Sequence, residues 1–408
     1  MKEADEAADE LQARLRRYPA ARYPIQHATA QFHLGLLMTN AGRLDEAAIA
    51  LRTASELFHP DKLSVEHAKS LNALGAVLRL QGRLPEAAEA FEKSATLFGQ
   101  LEATLERGAA VFNLGLVRRE LRDTEAAVRS FETARVLLEA TRVPSQAAAA
   151  ARELGTTLLA AGDVEPALAA FVEARDLAER ANDRGGLGAA ANALGLALLA
   201  LGRVPVAVES FQAAVAANPR TIRPEAYSMG KANLALAYER VGEEPRARLA
   251  ARQALRVVSA AEPVREQALG ILARLGNPPG DLLAVLDGEV SDRWPGIVRE
   301  EVGRWAEADP EEMRAEAEAW INGLTRRARD AVDLAEVLLG ALLELTPPHM
   351  DHVITLTMEA LAGQDQDKRE EFRSSMARAM PRFPSPQFMR IQDAFAQVAT
   401  RLGMAGWT

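Results

Sequence analysis

Apolar positions in the first two thirds of the chain recur at helical spacing, and one arrangement returns every 40 residues without slipping. The motif is a Leu-Gly pair, then a glycine turn, then a small, a large apolar and a small residue at spacings of four and three. The first copy is Leu34-Gly35, Gly42, Ala47, Leu51 and Ala54, and the second is Leu74-Gly75, Gly82, Ala87, Phe91 and Ser94. The third reads Leu114-Gly115, Ala127, Phe131 and Ala134, with Arg122 in the turn-glycine position. Leu154-Gly155, Gly162, Ala167, Phe171 and Ala174 follow, then Leu194-Gly195, Gly202, Ala207, Phe211 and Ala214, closed by Asn218-Pro219. A weaker sixth copy is Leu234-Ala235, Gly242, Ala247, Ala251 and Ala254. The glycine beside leucine lets a second helix approach closely, and the turn glycine supplies a left-handed helix end. Residues at i, i+4 and i+7 share one helical face, so the pattern predicts helical hairpins that stack.

These residues resemble the tetratricopeptide repeat, with its early Leu-Gly, later Ala-x3-Phe and closing proline. The resemblance covers about residues 28–267. It departs from the family in lacking the large early aromatic, whose place is held by Gln31, Val111 or Ala191, and in a period of 40 residues. Longer hairpins of that kind are similar to those of kinesin light chains and of bacterial signalling regulators. The extra length is expected in the first helix and in the loop between repeats. The resemblance implies an all-α fold, a right-handed solenoid of six hairpins followed by a helical bundle.

Shifting the register back by one unit places Ala7 and Leu11 on the Ala47 and Leu51 positions, which predicts a lone capping helix over residues 3–17. A closing helix runs from Glu262-Pro263 to Leu275, and Gly276-Asn277-Pro278-Pro279-Gly280 breaks the chain. The expected organisation is therefore a cap and linker over 1–27, repeats over 28–278 and a bundle over 279–408. Helices are expected in the last part near 293–307, 310–328, 330–345, 347–362, 366–380 and 385–403. All four tryptophans and the whole net charge of −9 fall there, since residues 279–408 hold 14 basic and 23 acidic side chains.

Composition removes several chemistries. With no cysteine, disulfides, thiolate metal sites and cysteine nucleophiles are excluded. The acidic start Met1-Lys2-Glu3-Ala4-Asp5-Glu6 lacks the pattern of an export signal, so a cytoplasmic setting is expected. Gly185–Gly202 carries no charge but keeps the repeat register, so it reads as a packed solenoid helix and no membrane partner is expected. The balanced charge of the repeats and the acidic remainder argue against nucleic acid. Forty-two arginines against six lysines hint at a GC-rich bacterial genome. No Walker, GxSxG or HExxH pattern occurs. His349 and His352 share a helix face with Glu359 beyond them, but the set lacks a diagnostic further ligand, so no metal and no cofactor are expected.

What the resemblance implies about function lies on the first helices, which line the concave face in that family. Positions around each Leu-Gly pair there are Phe32, His33, Asn72, Arg79, Phe112, Asn113, Arg119, Arg152, Glu153, Asn192 and Asn233. Asparagines offer a donor and an acceptor for a partner's backbone, and the arginines would favour carboxylates. The alternative reading of the asparagines is a bond within or between helices. The expected role is a protein- or peptide-binding adaptor, with an acidic segment the favoured partner. The alternatives are a peptide-sensing regulator and an enzyme using His349, His352 and Glu359 between solenoid and bundle. Oligomeric state is left open.

Overall fold

The computed structural model describes residues 2–58 and 64–404, with side chains from residue 7 onward apart from Ser64. Among the described residues every regular element is helical, and packing divides the chain after Asn218 into two compact units.

The first unit contains α1 (Lys2–Arg17), α2 (Pro24–Asn40), α3 (Leu44–Leu57), α4 (Ser64–Leu80), α5 (Leu84–Gln100) and α6 (Thr104–Glu120). It continues with α7 (Thr124–Ala140), α8 (Pro144–Ala161), α9 (Val164–Arg180), α10 (Arg184–Ala200) and α11 (Val204–Ala217). Each helix from α2 to α11 packs against its neighbours in sequence, and α1 packs on α2. The large residue of every second helix is fully buried: Leu51, Phe91, Phe131, Phe171 and Phe211. Each faces the glycine of the preceding helix. A Cβ on Gly75 would meet the Phe91 ring at 2.9 Å, one on Gly115 the Phe131 ring at 2.8 Å, and one on Gly195 the Phe211 ring at 2.6 Å. The Leu-Gly and Ala-x3-Phe signatures are thus two halves of one contact.

In the fifth hairpin the extra residues lie where expected, in a first helix of 17 residues against 14 in the second and in the six-residue loop 218–223, but the central hairpins differ. Both helices of a central hairpin have 17 residues, as α6 and α7 show, and the loop between repeats is as tight as the loop within one. Helices α2 to α11 begin every 20 residues, from Pro24 to Val204. In the central hairpins both kinds of turn close in the same way. At Gly82 (φ +74°), Arg83 N–H bonds Leu78 C=O at 2.9 Å, and at Asn182 (φ +51°), Asp183 N–H bonds Ala178 C=O at 2.9 Å. Glu102, Arg122 and Arg142 also take positive φ, so side-chain-bearing residues occupy a conformation that glycine adopts freely.

The second unit opens with the hairpin α12 (Pro224–Val241) and α13 (Glu244–Leu255) and the helix α14 (Glu262–Leu275). Then follow α15 (Asp281–Asp287), α16 (Trp294–Trp305), α17 (Pro310–Thr325), α18 (Ala331–Leu343), α19 (Pro347–Ala362), α20 (Gln366–Ala379) and α21 (Ser385–Leu402). Six of these match the helices expected past residue 290, whereas α15 was not expected. One apolar core around Trp305, Trp320, Phe372 and Phe395 joins α15 to α21.

A buried ionic layer binds the sixth hairpin to that core. Arg248 bonds Asp281, Arg252 bonds Asp281 and reaches Glu316 at 3.0 Å, and Arg304 reaches Glu316 at 2.8 Å and Glu301 at 2.6 Å. Glu301 is 0% exposed. Lys231 donates to Gln253 and to Glu300. Charges removed from water in this way are stable only as a matched set. Burial pushes the Glu316 carboxyl above its ordinary range, with Glu301 adding to the effect. The bond to Asp281 raises the already high basicity of Arg248. The Gly-Pro segment read as a break is itself strapped down. Arg252 donates to Asn277 Oδ1 and Pro278 C=O, and Gly280 N–H donates to Glu316. The second compact unit begins at Pro219, whereas the sequence reading expected the boundary near 278.

Candidate functional site

First helices of successive hairpins in the first unit lie beside one another, α2 by α4, α4 by α6 and α8 by α10. On each, the residues three before, one after and five after the glycine follow an i, i+4, i+8 stripe. The middle tier of that stripe is Leu36, Ala76, Leu116, Thr156 and Leu196. None of its members carries a charge.

Side chains cross-link the helices along this face. Asn113 Nδ2 donates to Asn72 Oδ1 at 3.4 Å, and Arg79 Nε donates to Glu120 at 2.7 Å, both joining α4 to α6. Arg119 donates to Glu153, joining α6 to α8, and Glu153 also pairs with Arg152 at 2.9 Å. Arg119 stands 5.8 Å over the Phe131 ring. Phe112 packs edge-on to Phe131 at 5.7 Å, and Phe32 meets His33 at 5.7 Å. Phe32 and Phe112 are half-buried and His33 is exposed. Asn192 is half-buried at the matching position of α10.

The expected residues of the first unit thus fall on one face, but their polar ends are largely turned to each other. Asn72 and Asn113 form a pair, which is the interhelical alternative, and Glu120 and Glu153 hold the arginines. Asn233 departs from the expected ladder: it belongs to the second unit, is 7% exposed and accepts a bond from Gln267 at 3.2 Å. Glu120 was missed by the sequence reading, although its spacing of 41 from Arg79 was a usable signal. The metal-like trio also separates, since Glu359 bonds Arg314 at 2.7 Å while His349 is exposed. Among the described residues no three His, Asp or Glu side chains form a metal-binding group, and no helix is long and apolar enough to cross a membrane.

Two tetratricopeptide-repeat models match the sequence, one over residues 66–140 and one over 153–222 and again over 192–266. The chain is a tetratricopeptide-repeat protein. Its repeats make it a protein-interaction molecule, with a protein or peptide as partner. No curated protein sequence matches this tetratricopeptide-repeat chain. Among solved structures it is similar to PilF of Pseudomonas aeruginosa, at 16% identity and TM-score 0.45, covering 60% of this chain and 97% of that one. It is also similar to putative kinesin light chain repeats of Podosopora anserina, at 21% identity and TM-score 0.39, covering 53% and 98%. RapI in its apo form gives 14% identity and TM-score 0.44, covering 66% and 99%.

Proposed function

We propose that this tetratricopeptide-repeat protein is an adaptor that holds an extended or helical segment of a partner along the first-helix face of residues 24–200, with the cytoplasm as its expected setting. The observation that carries this reading is the uncharged middle tier, repeated at one register on five parallel helices and accessible to solvent, while the second helices bury their large residues. Phe32, His33, Asn72, Arg79, Phe112, Asn113, Arg119, Arg152 and Asn192 frame that tier. Asn233 is left out because it is buried in the second unit. The acidic preference expected from the arginines is weakened, because Glu120 and Glu153 neutralise most of their charge at close range.

The test is calorimetry with a partner recovered from the native host. Asn113→Ala and Arg152→Ala are expected to weaken binding by about 1–3 kcal/mol, and Glu89→Ala on α5 by less than about 0.5 kcal/mol. Equal affinity for all three variants would remove this face as the recognition site.

A further inference from the structure

Among the described residues, the two most exposed large apolar side chains lie in two loops of the second unit. Val258, between α13 and α14, is 92% exposed, and Ile222, ahead of α12, is 67% exposed. The Ser259 hydroxyl, next to Val258, ties the two regions together by donating to Glu225 in the first turn of α12 at 2.8 Å. Between them lies a hollow of about 520 Å³ whose lining includes Arg220, Thr221, Arg256, Val257 and Val258. Both charged residues of that lining are arginines, and they converge on one carboxylate. Arg220 donates to Glu307 at 3.1 Å, and Arg256 Nε donates to it at 3.1 Å. Arg256 is also fixed by the carbonyls of Glu300 and Gly303, at 3.1 and 2.7 Å, so its position does not depend on Glu307 alone. With Arg223 of the same loop counted, three arginines stand against Glu225 and Glu307, which leaves one positive charge over.

We infer that this hollow is a second docking surface, for a partner segment in which an aspartate or glutamate stands beside a bulky apolar residue. The carboxylate lies against Arg220 and takes up the charge that Glu307 leaves uncompensated. Arg220 is the arginine able to turn toward it, because its side chain is 33% exposed while that of Arg256 is 8% exposed. The apolar residue covers Val258 and Ile222, which otherwise remain in water. None of these residues belongs to the first-helix face, so the inference stands apart from the adaptor reading.

The probe is a displayed library of random twelve-residue peptides, selected on the full chain after depletion on the Val258→Asp variant. That substitution adds a repelling charge at a side chain already surrounded by water, so the melting temperature is expected to stay unchanged. Selected peptides are expected to carry Asp or Glu within about two residues of Leu, Ile or Phe. Their affinity should fall at least fivefold on Arg220→Gln and about threefold or more between 0.05 and 0.5 M salt. Arg129→Ala, on the exposed side of α7, is the control and should bind as the unaltered chain does. Neutral or basic peptides, or peptides indifferent to Arg220→Gln, would overturn the partner chemistry, and an empty selection would overturn the site. Sedimentation supplies the remaining arm: a dimer of the unaltered chain that Val258→Asp dissolves would make the occupant a second copy and overturn the foreign segment.

Discussion

Arg122 shows how a single residue can hold a turn that another residue type would hold at lower cost. It takes φ +65° where the equivalent positions of the other copies carry glycine, at Gly42, Gly82, Gly162, Gly202 and Gly242. A side chain in that region costs about 1 kcal/mol, part of which glycine returns as greater freedom in the unfolded chain. Arg122→Gly is therefore expected to stabilise the protein by about 0.5 kcal/mol, read as a higher denaturant midpoint, and a lower midpoint would show that the Arg122 side chain contributes more than the strain removes. The glycines facing phenylalanine behave in the opposite way. They were legible in the sequence because the requirement is strict and repeats, so that Gly75, Gly115, Gly155 and Gly195 mark the contact by their spacing alone. Glu102 and Arg142 were not legible, because nothing in an ordinary charged residue announces a left-handed backbone, whereas Asn182 is of a type that enters it readily.

Helices past residue 290 were readable within a few residues because proline and capping side chains mark their starts, as with Asp309 accepting from Glu311 and Glu312 N–H ahead of Pro310. The loyalty of α12 and α13 was not readable. Their small-residue pattern places them with the repeats, but Arg248, Arg252 and Gln253 are buried against carboxylates that lie 29 to 64 positions away for Arg252 alone. A one-dimensional pattern carries no sign of which distant acid will answer which base. Arg252→Met leaves Asp281 and Glu316 short of a cation, and breaking such a buried set costs about 3–5 kcal/mol. The expected signature is faster amide hydrogen exchange across α12 to α15, with exchange across α2 to α11 unchanged. Uniform exchange in both units would mean that the ionic layer does not hold the hairpin.

For the molecule as a whole, the end of the repeat pattern and the edge of the compact unit are different places, and the difference can be measured. A fragment of residues 1–218 contains the whole first unit and is expected to unfold cooperatively with full helicity. A fragment of residues 1–278 keeps Arg248 and Arg252 but lacks Asp281 and Glu316, so everything past about residue 218 is expected to be digested by protease. Resistance of the longer fragment up to Leu275 would place the boundary at the end of the repeats instead. The even 20-residue stride of α2 to α11 has a consequence for the gene. Each hairpin is two strides, and every glycine finds its large apolar partner one stride minus four residues downstream. Tandem duplication or loss can therefore proceed only in blocks of 40 codons. A block of 20 would set two first helices side by side, and one of 34 would turn the phenylalanine away from the glycine that receives it.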